Sequence, residues 1–273
     1  MSVYSTRTAA LLVLLALLGL SACSSGPATA RVGTPEFYWY AAKETYAAGD
    51  YVRTADHLDH LIATQNEYTA RAVPWSLVLT SGMAAGYMEL ADHYVAGARV
   101  NKGNALPFRK KASDYRTMAA PLVLRFAQNV EKMSVVSGGG VQLAFGLPKG
   151  TAALPSLLAQ ISNGMQLSAA DAETVQSLVI QRNVMLAVCR SAGAPNDSAR
   201  TEEILGHASA LIPRPVFEGA VSYMLTAESA LFARNSLDDP EKLDAIKRRA
   251  QLMLAGTRPA ANGKVAPVEA GVH

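Results

Sequence analysis

The 273-residue chain has only two cysteines, Cys23 and Cys189, so no disulfide framework holds it together. Charge is sparse in both signs. Charged residues make up 17% of the chain, and 25 Lys and Arg against 22 Asp and Glu leave a formal net charge of +3. That balance is far below what a phosphate-neutralising surface needs, which excludes a dedicated nucleic-acid binder. Catalytic signatures are missing as well. There is no Gly-x-Ser-x-Gly, no His-Glu-x-x-His and no paired-cysteine metal motif, and no Gly-Lys-Ser/Thr follows Gly138, Gly139 and Gly140 to make a phosphate cradle. What the chain has in quantity is hydrophobic residues, 50% of the total. This is enough to bury a core, and it excludes a disordered polar chain.

The most specific signal is N-terminal. A polar opening with one cation, Arg7, precedes the apolar run 9–20, which ends in Leu20-Ser21-Ala22-Cys23. The run falls short of the ~20 apolar residues a spanning helix takes, and it reads as the hydrophobic region of a secretory signal. The four residues at its end resemble the lipobox of bacterial lipoproteins, with Leu20, Ser21 and Ala22 as signal-peptidase recognition residues and Cys23 as the lipid acceptor. The resemblance implies a diacylglycerol such as one carrying palmitate on the Cys23 thiol, cleavage before Cys23, and acylation of the new amino group. Two or three acyl chains, at ~0.8 kcal/mol per buried CH₂, hold a protein on a membrane where one does not. Ser24 stands where enterobacterial lipoproteins retained at the inner membrane carry Asp, which by analogy points to the outer membrane, facing the periplasm.

The expected organisation is a signal peptide over 1–22, a small, polar tether over 23–34, an all-α domain over 35–255 and a Pro/Ala/Gly-rich disordered tail over 256–273. Within the domain, Thr34-Pro35 opens a helix that ends near Gly49-Asp50, and Tyr51, Ala55, Leu58 and Ile62 form the stripe of a second, making a hairpin. A long third helix is expected from Pro74, with Gly82 and Gly86 spaced for close approach of a neighbour; Glu89, Asp92 and His93 argue against its being a membrane span. A fourth carries Tyr115, Met118, Leu122, Phe126 and Val130 on one face, and Pro121 should kink or split it. Residues 137–167 read as an irregular apolar connection with a short helix at 154–161, suited to a flap over a groove. Ser168 caps a helix bearing Val175, Leu178, Val179, Met185, Leu186 and Cys189, the last a core cysteine. Asn196-Asp197-Ser198 caps the next, with Ile204, Leu205, Ala208 and Leu211 inward, and Pro215 opens another with Phe217, Val221, Met224 and Leu225 inward. A last helix follows Asp238-Asp239-Pro240.

Helix pairs on short loops with no convincing strand predict stacked antiparallel hairpins, an α-solenoid or a related helical array. The segment 38–61 resembles a tetratricopeptide unit: Tyr38 lies near the large aromatic position, Gly49-Asp50-Tyr51 at the turn, and Ala55 and Leu58 on the second helix. Ala42 departs from the family's glycine, and the closing proline is missing. Residues 232–254 repeat the theme more loosely. A second resemblance is to T-component lipoproteins of TRAP transport systems, carried by Leu90-Ala91-Asp92-His93-Tyr94 and Lys111-Ala112-Ser113-Asp114-Tyr115-Arg116.

Asp56, His57, Asp59 and His60 have metal-ligand spacing on one helix, but Leu58 and Leu61 point that helix at the core, so a solvated face with no metal is expected. Phe37, Tyr38, Trp39, Tyr40, Tyr46 and Tyr51 cluster near the N-terminus and read first as hairpin core; Tyr38, Trp39, Tyr46 and Tyr51 are also candidates for partner binding, since Tyr and Trp anchor interfaces. The expected function is that of a membrane-anchored, non-enzymatic, cofactor-free scaffold or adaptor for protein partners at the cell envelope. The alternative is a transporter-associated lipoprotein that binds a small ligand. A closed apolar pocket would favour the alternative.

Overall fold

The computed structural model describes residues 30–136, 138–148, 154–206, 210–234, 248 and 251–252. The signal peptide, Cys23, the tail over 256–273 and nearly all of the loose repeat over 232–254 lie outside the described residues. The fold is an all-α array: eight α-helices and one pair of two-residue strands among the described residues.

Thr34 caps α1 (Pro35–Ala47), its hydroxyl accepting the Phe37 N–H at 3.3 Å. Pro35 stands at the start, where a missing N–H costs no intrahelical bond. Gly49, at φ +78°, turns the chain, and Asp50 caps α2 (Tyr51–Ala63) by accepting the Arg53 N–H. Thr54 donates its hydroxyl to that of Thr45 at 3.0 Å, tying the hairpin together.

α3 (Thr69–Val100) begins at Thr69 and not at Pro74, which lies inside the helix. The entry turn explains this. Thr69 donates its hydroxyl to the Leu61 carbonyl at 2.9 Å and Asn66 accepts the Tyr68 N–H, so the helix is nucleated upstream. α4 (Ala105–Val130) starts ahead of the basic run Arg109-Lys110-Lys111 and is not split at Pro121. Pro121 and Thr117, the residue whose carbonyl it leaves unbonded, are both exposed, so water takes the freed acceptor. The inward face of α4 is Phe108, Ala112, Tyr115, Ala119, Leu122, Phe126 and Val130; Met118, expected among them, is 44% exposed.

α5 (Leu154–Ser162), α6 (Ala169–Ser191), α7 (Ser198–Leu205) and α8 (Arg214–Arg234) follow. Ser168 and Asp197 cap α6 and α7 through the N–H groups of Asp171 and Arg200. α7 ends at Leu205, and Leu211, expected inward, is exposed. The strands β1 (Gly140–Val141) and β2 (Ile212–Pro213) pair antiparallel and pin the connection after α4 to the start of α8.

α3 is the axis of the molecule, packed against α2, α4, α5, α6 and α8. Both major partners run antiparallel to it. Tyr87 meets Tyr115 while Tyr94 meets Phe108 on α4, and Gly82 meets Val184 while Gly86 meets Ile180 on α6. A Cβ on Gly82 would lie 2.5 Å from the Val184 Cα, so the expected close approach is real and is backbone to backbone. α4 and α6 are therefore parallel to each other, and their N-termini share the end of the bundle where α3 finishes. No helix among the described residues is long and apolar enough to cross a membrane.

Candidate functional site

Trp39, Tyr46 and Tyr51, the candidates for partner binding, are buried, and their partner is internal. Residues 138–148 run back over the α1–α2 hairpin and insert Phe145 between Trp39, Tyr46 and Trp75, with ring centroids 5.4, 5.2 and 4.5 Å away. Tyr46 donates its hydroxyl to the Gly146 carbonyl at 2.9 Å, fixing this strap. The expected flap is thus a closed one over these residues. Burial pushes the Tyr46 and Tyr51 hydroxyls upward in pKa, Tyr51 to about 12. A cleft of about 460 Å³ remains beside the strap, bounded by the Ala47–Gly49 turn and by Ser177 and Gln181 of α6. Tyr38 is half-buried and stacks on His60 at 4.2 Å.

The Asp56–His60 group disperses its members. Asp56 and Asp59 both face Arg125 of α4, at 3.4 and 3.0 Å. His60 lies on Tyr38, and His57 is lowered in pKa by burial and by the neighbouring His60. No group of three or more His, Cys, Asp or Glu that could hold a metal is present among the described residues.

A polar cluster that the sequence reading treated only as an argument against a membrane span joins three helices. Glu89 of α3 accepts from Arg182 and, at 2.8 Å, from Asn183, both on α6. His93 Nε2 lies 3.6 Å from the same carboxylate, and its Nδ1 lies 2.7 Å from the Ser162 hydroxyl at the end of α5. Burial alone would raise the Glu89 pKa, but hydrogen bonds from His93, Arg182 and Asn183 and the Arg182 charge outweigh it and hold the carboxyl at about 2. The Ser-His-Glu order has the outline of a nucleophile relay, yet its electrostatics oppose one. Ser162 sits at a helix C-terminus, where developing negative charge is disfavoured. The N–H groups of Asn163 and Gly164 beside it already donate to Ala159 and Ile161. The cluster acts as a brace that ties α5 and α6 to α3. The signal for it was available in the sequence as Glu89 and His93, four apart on an otherwise apolar helix.

Another cleft, of about 430 Å³, opens over α3 between the N-terminal halves of α4 and α6. Tyr94 forms its floor, Phe108 and Tyr115 one wall, and Leu167, Ser168 and Ala172 the other. The heptad spacing of Tyr87 and Tyr94 on α3, and of Phe108 and Tyr115 on α4, brings these rings to one interface, where Tyr94 and Tyr115 lie 5.7 Å apart. Both tyrosines are more than nine-tenths buried, but their hydroxyls are not among the buried polar atoms left unpaired: they open to the cleft, with no hydrogen-bond partner among the described residues. Burial raises both pKa values, Tyr115 to about 12, so both hydroxyls stay neutral. The loop after α5 borders the cleft with Gln166 and Leu167 and is fastened to the end of α3, where Asn101 donates to the Gly164 carbonyl at 2.9 Å. Sequence reasoning missed this site because it is assembled from three helices whose neighbours no local pattern specifies.

No family model, curated protein or solved structure matches the chain.

Proposed function

We propose that the chain is a lipid-anchored, non-enzymatic binding protein of the bacterial cell envelope that receives a small ligand in the cleft over Tyr94 and Tyr115. One observation carries the choice of a small ligand over a protein partner. Two phenol hydroxyls that no group among the described residues bonds open into a largely apolar cleft, where the polar atoms of a ligand can take the place of water. The aromatic residues that could have made a partner-facing patch are occupied by Phe145. The anchor rests on the lipobox resemblance at Leu20-Ser21-Ala22-Cys23, and the outer membrane on Ser24.

A second reading adds a protein partner to the first. Val100, Leu106 and Met165 are exposed apolar side chains at the end of the bundle where the cleft opens. A membrane protein docked there would meet the mouth of the cleft, as suits a lipoprotein serving a transporter, in line with the TRAP T-component resemblance.

The anchor is tested by labelling cells with radioactive palmitate: wild type should incorporate label and Cys23→Ala should not, accumulating as precursor. Label in the variant, or none in wild type, removes the lipoprotein reading. The cleft is tested by melting the full-length protein against a panel of small amphiphiles. A ligand at a hundredfold its Kd adds about 2.7 kcal/mol, and Ala172→Trp, which fills the cleft, should abolish that shift. A shift that survives in Ala172→Trp would place binding elsewhere.

A further inference from the structure

The cleft over Tyr94 and Tyr115 carries one cation and one anion on its rim, Lys111 on α4 and Glu173 on α6. Both are exposed, and neither has an ion-pair partner among the described residues. They belong to opposite walls, because α4 and α6 flank α3 without forming a packed pair of their own. The remaining lining is apolar or neutral, with Phe108 and Leu167 supplying hydrocarbon surface.

Each simple ligand class leaves part of this lining unanswered. A hydrocarbon would displace water from the Tyr94 and Tyr115 hydroxyls and bond neither. A monoanion would suit Lys111 and the N-terminal ends of α4 and α6, both of which lie at this end of the bundle, but would leave Glu173 against its rim. A monocation would suit Glu173 and meet Lys111 and two positive helix ends. A molecule with both charges and an apolar body answers every group.

We infer that the cleft takes a small zwitterion with an apolar or aromatic body, of which a free hydrophobic amino acid is the simplest case. Its carboxylate lies toward Lys111 and the N–H groups of Ala169 and Ala170 at the start of α6, the Asp171 N–H being already held by Ser168. Its ammonium lies toward Glu173, and its side chain lies over Phe108 and Leu167. The Tyr94 and Tyr115 hydroxyls, neutral and able both to donate and to accept, complete the polar end. A volume of about 430 Å³ falls within the range of small-molecule pockets. This inference rests on the reading that the cleft binds a ligand at all, and the experiment separates the two.

Calorimetric titration of the full-length protein in mild detergent would use four probes that differ by one charge at a time: L-phenylalanine, 3-phenylpropionate, phenethylamine and 2-phenylethanol. Phenylalanine should bind at least about tenfold more tightly than any of the other three, as expected for a charge-assisted contact at each end. Lys111→Gln should weaken phenylalanine about tenfold while sparing phenethylamine, and Glu173→Gln should do the same while sparing 3-phenylpropionate. Both positions are exposed, so the fold should survive either change, checked by circular dichroism. If a singly charged or neutral probe binds as tightly as phenylalanine, or both variants bind phenylalanine like wild type, the zwitterion assignment is overturned while the binding cleft stands. If none of the four binds, the zwitterion assignment is overturned, and the amphiphile melts with Ala172→Trp decide the binding cleft on their own.

Discussion

Glu89 shows how far one side chain can be bent from its ordinary chemistry by its neighbours. Its carboxyl titrates at about 2, below the usual range, so the folded state holds this proton less tightly than the unfolded chain does. The resulting stability is present above the unfolded carboxylate pKa and is lost as pH falls through the folded one. Thermal melts should show a loss on the order of 2–3 kcal/mol between about pH 5 and pH 2 from this group. Glu89→Gln should be less stable at neutral pH and should lack that component of the acid limb. An unchanged acid limb in the variant would show that the brace contributes nothing. His57 and His60 make the opposite case. His60 is exposed and adds only its stacking on Tyr38, so His57→Ala with His60→Ala should cost no more than about 1 kcal/mol, read as a shift of a few degrees in Tm.

At the scale of helices, the contact between α3 and α6 depends on the absence of two side chains. Gly82→Ala places a methyl group 2.5 Å from the Val184 Cα and cannot be relieved by a rotamer change, so the helices must separate. Overpacking of this sort costs about 1–3 kcal/mol, and the methyl's gain in helix propensity, up to about 1 kcal/mol, does not offset it. Gly86→Ala, where the nearest backbone atom lies at 3.0 Å, should cost less. Urea unfolding of the two variants would give the order, and a stabilised Gly82→Ala would contradict the packing. The glycine pair was legible in the sequence because spacing alone puts both on one face. So were the caps at Thr34, Ser168 and Asp197, each a short polar side chain before an apolar repeat. The start of α3 and the continuity of α4 were not legible, because tertiary burial carries α3 through Pro74 and exposure excuses Pro121 in α4. The N-terminal aromatic residues were legible as hairpin core, but what fills the space between them was not. Nothing near Trp39 or Tyr46 in sequence shows that Phe145 returns to fill the space between them.

At the scale of the whole molecule, α3 touches most other helices, whereas a linear stack of hairpins lets each repeat touch only its neighbours. Unfolding should therefore be one transition over the described helices. The two tryptophans offer a check, since Trp39 and Trp75 both pack on Phe145 and their emission reports the strap. Far-ultraviolet circular dichroism reports all the helices. Coincident midpoints by the two probes are expected, and a tryptophan transition well below the helical one would mean that the strap and first hairpin melt independently. Cys189 adds a timing device to the same experiment. It is 1% exposed on α6, and in a Cys23→Ala variant no other thiol in the chain competes for reagent. The native protein is thus a dormant thiol that awakens only on opening, and the rate at which it is alkylated in the absence of denaturant counts the spontaneous excursions of the core.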